Sequence, residues 1–72
     1  MSRGVVLFHT NTSALRAEKI LKRAGLQVKL IPTPRQLSSD CGISLRFEWQ
    51  DRKQVEAQLV VARVENEIHA LD

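Results

Sequence analysis

Hydrophobic and polar positions fall into five runs along the chain. Val5-Val6-Leu7-Phe8 is wholly apolar and rich in strand formers, so it predicts a strand covered on both faces. Ala14, Ala17, Leu21 and Ala24 then recur at helical spacing with Ile20 beside them, while Arg16, Lys19, Lys22 and Arg23 fill the other side. Asn11, Thr12 and Ser13 are candidate caps for this helix, and Gly25 stands where a left-handed end is wanted. From Leu26 to Ile31 the pattern alternates, with Val28 and Leu30 inward and Gln27 and Lys29 outward, until Pro32 and Pro34 stop it. Ile43, Leu45, Phe47 and Trp49 alternate with Ser44, Arg46 and Glu48, the clearest period-two signal in the chain. Asp51 with Gln54 resembles a capping box and opens a second helix. Val55, Leu59 and Ala62 form its stripe, and Val61, Val64, Ile68 and Leu71 extend the stripe to about residue 69.

The order β-α-β-β-α predicts an α/β (α+β) two-layer sandwich, with helices on one face of a small sheet. It resembles a truncated ferredoxin-like fold, one that lacks the last strand. By that analogy the third strand is central, and the apolar first strand is an exposed edge. Exposed apolar edges aggregate unless covered. The expectation is therefore a homodimer that pairs or stacks sheets there, or a tail folded over the edge.

Seventy-two residues predict a single domain spanning 1–72, with a thin stability margin. The hydrophobic fraction of 43% and charged fraction of 26% are those of a globular domain rather than a disordered tail. One cysteine excludes an internal disulfide framework and a cysteine-rich zinc module, which points to a reducing, cytoplasmic setting. No targeting signal or membrane span is apparent, so no membrane partner is expected. Charge is uneven: residues 1–35 carry seven Lys/Arg and one acid, residues 36–72 four Lys/Arg and seven acids. The basic first half invites an anionic partner, although a solvated helix face explains it as simply.

Few residues offer chemistry. The acids are spaced as surface residues, His9 and His69 have no matching ligands, and no phosphate loop is present. Phe47 and Trp49 could stack bases beside the basic helix, but Ile43 and Leu45 share their face, so a core reading is preferred and nucleic acid is disfavoured. Cys41 is the informative residue. It lies in a loop after Ser38, Ser39 and Asp40 and before Gly42, where an apolar anchor is out of place. Gly42 would admit a partner close to the sulfur, and serine hydroxyls and bare N–H groups would support a sulfur anion. Arg35 and Arg46 bracket the loop and favour a thiolate, whereas Asp40 opposes it. Arg35, stiffened by Pro32 and Pro34, suits an anion clamp; the plain alternative is a surface arginine paired with Asp40. The plain alternative for Cys41 is a buried thiol acting as a small hydrophobe.

The run from Leu30-Ile31-Pro32-Thr33-Pro34-Arg35 through Ser38-Ser39-Asp40-Cys41-Gly42 to Phe47 resembles the selenium/sulfur carrier protein-like family. The strand ending in Phe8, and Thr12, Ala14, Glu18, Lys19, Leu21, Lys22 and Gly25, fit the same resemblance, which covers residues 5–48. It implies a small bacterial-type cytosolic carrier, rather than a turnover enzyme, that holds sulfur or selenium on Cys41 as a persulfide-type adduct. Arg35, Ser38, Ser39 and Gly42 would surround the adduct, and a protein donor and acceptor would be the partners. The Cys-Pro-x-Pro motif of other sulfur carriers is absent. No cofactor is required, because thiol exchange moves the sulfur. The alternative is a non-catalytic interaction module that dimerises through its sheet, with Cys41 incidental.

Overall fold

The computed structural model describes residues 2–37 and 41–71. Strand β1 (Arg3–Leu7) leads into helix α1 (Asn11–Arg23), and strands β2 (Val28–Pro32) and β3 (Ile43–Glu48) follow. A 3-10 turn (Trp49–Asp51) precedes helix α2 (Arg52–Val61), and strand β4 (Glu67–Ala70) closes the fold. The strands form one antiparallel sheet in the order β2-β3-β1-β4. Ala14, Ala17 and Leu21 of α1 and Val55 and Leu59 of α2 share a buried cluster with Val6, Leu45 and Phe47 of the sheet. The two-layer α+β sandwich is as the alternation patterns predict.

The truncation is not. Residues 67–70 are a strand, so the ferredoxin-like order is complete, and β1 lies between β3 and β4 instead of at an edge. Of the two ways foreseen to cover β1, the chain's own tail is the one observed. The reason lies at the end of α2. Arg63 takes a left-handed conformation, φ 56°, and its N–H donates to the Val60 carbonyl. The Val64 N–H donates to the Leu59 carbonyl, and Val64 turns into the core. This is a Schellman ending. It stops the helix that the apolar stripe would have carried to residue 69, and leaves Val61, expected inward, 81% exposed. α1 ends identically at Gly25 (φ 86°), where the Gly25 N–H donates to Lys22 and the Leu26 N–H to Leu21. Glycine announced that ending; arginine concealed the other.

Two cap expectations also change. Thr10, not a residue of 11–13, caps α1: its Oγ1 accepts from the Ser13 N–H at 3.1 Å. Asp51 makes no side-chain capping bond, because the 3-10 turn supplies the entry to α2. Phe47 and Trp49 stack with ring centroids 5.9 Å apart, and Phe47 is buried in the core rather than offered as a platform.

Candidate functional site around Cys41

Strand pairing brings the site together. Pro32 of β2 and Ile43 of β3 are partners, and the Thr33 N–H donates to the Gly42 carbonyl at 3.0 Å, which carries the ladder one step beyond the strands. Cys41 therefore sits at the entrance to β3, beside the exit of β2. The same end of the sheet holds the exit of β1 and the start of α1, because β1 runs antiparallel to β3.

The Cys41 thiol donates to Asn11 Oδ1 at 2.9 Å. Asn11 is the first residue of α1 and is itself exposed, so it meets the sulfur on one side and solvent on the other. Thr33 Oγ1 donates to the Cys41 carbonyl at 2.9 Å and lies 2.7 Å from Ser44 Oγ. With the threonine proton used on the carbonyl, the Ser44 hydroxyl is the donor to Thr33. Ser44 is fully buried, so this pair satisfies its hydroxyl and anchors the backbone of Cys41. Cys41 is 3% exposed and belongs to the hydrophobic cluster. Its sulfur is thus packed like a core residue and hydrogen-bonded like a polar one.

The residues named from sequence are only partly gathered here. Gly42 is exposed, and a Cβ built on it would meet nothing within 4 Å among the described residues. Arg35 is exposed in the turn closed by the Leu37 N–H donating to the Pro34 carbonyl, and it contacts no other described residue through a hydrogen bond or ion pair. Ser38 and Ser39, with Asp40, lie outside the described residues. Arg46 is not at the site; it lies within β3, three residues beyond Ile43, and lines a cleft that does not include Cys41. Arg16 of the basic helix donates to the Ala62 carbonyl at 3.0 Å, where it caps α2. His9 and His69 each lie near a glutamate, Glu65 at 3.5 Å and Glu67 at 3.1 Å. Among the described residues no cluster of three or more His, Cys, Asp or Glu could hold a metal ion.

Sequence reasoning missed Asn11, Thr33 and Ser44 as partners of Cys41. Asn11 read only as a possible cap, and its distance of thirty positions from Cys41 hides the contact. The one available signal was Thr33 between two prolines, a hydroxyl held at the end of a strand.

Residues 3–69 match the family described as Putative Se/S carrier protein-like. The chain belongs to that family. The match extends the likeness seen in residues 5–48 across α2 and β4. No curated protein and no solved structure shows a significant match to the chain. Among the described residues no helix is long and apolar enough to cross a membrane.

Proposed function

We propose that the protein is a sulfur or selenium carrier and that Cys41 bears the cargo. The observation that carries this reading is the Cys41–Asn11 contact at the first turn of α1, in a member of the Se/S carrier-like family. A primary amide accepts from an S–H and, once turned, donates its N–H to a sulfur anion. Loading is an exchange without net oxidation. The Cys41 thiolate attacks the outer sulfur of a donor persulfide, a new S–S bond forms on Cys41, and the donor's own S–S bond breaks. The donor leaves as a thiolate and takes up the proton that Cys41 released. Delivery to an acceptor thiol is the reverse. Arg35, Ser38, Ser39 and Gly42 would surround the cargo, and no cofactor enters. Burial implies that loading follows a local opening that breaks the Cys41–Asn11 bond. Between transfers the same burial would shield the adduct.

A second reading rests on that burial: an interaction module in which Cys41 is a packing residue. Two measurements separate the readings. Inorganic polysulfide should add one sulfur to the folded chain, reversibly by reductant, and nothing to Cys41→Ser, as read by intact mass. Asn11→Ala should shorten the lifetime of the adduct about tenfold, the loss of one hydrogen bond to a charged group. A native Cys41 that neither loads nor alkylates, while the denatured chain does both, would overturn the carrier reading and leave the module.

A further inference from the structure

The opposite end of the sheet carries a second feature. Arg3 opens β1, Glu48 closes β3, and Lys22 lies in the last turn of α1. With Lys29 and Arg46, and with Leu26 and Val28 as apolar wall, they line a cleft of about 380 Å³. Among the described residues four cations thus face one carboxylate. Arg3 is 3.6 Å from Glu48, and Lys22 is 3.2 Å from Glu18. Lys29 and Arg46 have no ion pair or hydrogen-bonding side-chain partner among the described residues.

The register makes this costly. Lys29 and Arg46 are direct partners across β2 and β3, and like charges placed opposite each other destabilise a strand pair. Local rules of this kind are broken chiefly at functional or strained sites.

We propose that this cleft binds a phosphate-bearing small molecule, with Arg46 and Lys29 on the phosphate. A dianion matches two adjacent cations, where a single carboxylate would neutralise only one. The guanidinium fork fits two phosphate oxygens and the ammonium supplies a point charge. The cleft volume falls within the usual range for small ligands, roughly 300–1,000 Å³, and Leu26 and Val28 give the ligand body a surface. The inference stands apart from the carrier reading, since the cleft does not include Cys41.

The test is an amide NMR titration of the full chain with AMP at constant ionic strength. Saturable shifts are expected at Leu26, Gln27, Lys29 and Arg46, with none at Asn11 or Cys41. Inorganic phosphate should compete AMP away. Arg46→Gln and Lys29→Gln should each weaken AMP about tenfold, the loss of one charge-assisted contact. Both variants remove the like-charge repulsion, so their ligand-free melting temperatures should equal or exceed that of the parent chain; lower ones would remove the premise. The proposal is overturned if adenosine or potassium chloride reproduces the shifts, or if they spread equally over Arg16, Lys19 and Arg23. It is also overturned if a glutamate hexapeptide saturates the cleft where AMP does not, which would make the partner an acidic protein.

Discussion

At the scale of single residues, two positions show how little slack the fold has. A Cβ on Gly4 would stand 2.5 Å from Phe47 Cζ and 2.7 Å from Trp49 Cε3. Gly4 is the cross-strand partner of Phe47, and the absent side chain leaves room for the Phe47–Trp49 stack, over which Arg52 lies 5.2 Å from the Trp49 centroid. Gly4→Ala should destabilise by about 1–3 kcal/mol through overpacking. Thermal melting checks it, at about 4–8 °C per kcal/mol for a domain of this size; an unchanged melting temperature would show that the rings yield freely. Thr33 is the second position. Thr33→Val keeps the shape but strips the donor from the Cys41 carbonyl and the acceptor from buried Ser44, at a cost of about 1–3 kcal/mol. It should also raise the alkylation rate of Cys41, since the same contacts hold the residue in place. Gly4 is plain in the sequence but its reason is not, because the two rings lie more than forty positions away.

At the scale of elements, the two helix endings decide the topology. They have the same hydrogen-bond pattern, but one places glycine and the other arginine in the left-handed position. An L-residue there costs roughly 1–2 kcal/mol, part of which glycine would return as chain entropy. Arg63→Gly should therefore stabilise the protein by up to about 1 kcal/mol, read as a higher melting temperature. A lower value would mean that the Arg63 side chain contributes more than its backbone strain costs. The sandwich and the first helix were legible because apolar spacing records which face is buried. The end of α2 was not, since Val64 and Ile68 keep helical spacing with Val61 after the chain has left the helix. Val64 is buried as the residue that seals the ending, and Ile68 packs against the core from β4.

At the scale of the molecule, β4 turns an aggregation hazard into an interior strand. Val5 and Leu7 are buried although Val6 alone of the three joins the core cluster, and Val5 is flanked in register by Arg46 and His69. Truncation after Asn66 should expose the β1 edge and produce aggregates or dimers, measured by light scattering. A stable monomeric truncation would show that β1 needs no cover. The sheet also separates the two candidate sites. The Cys41–Asn11 contact lies at one end and the cationic cleft at the other, since the strands that enter one leave the other.

By itself the sequence determined the layers, the cysteine and the charge. Alternation and helical spacing fix which faces are buried, and a unique thiol needs no structure to be noticed. Tertiary structure alone decided the fourth strand, the burial of Cys41 and its tie to Asn11, the removal of Arg46 from the thiol, and the facing of Lys29 with Arg46. Each depends on contacts between segments distant in the chain, or on a backbone conformation that its side chain does not advertise. Local patterns record burial; they do not record which partner lies across the strand.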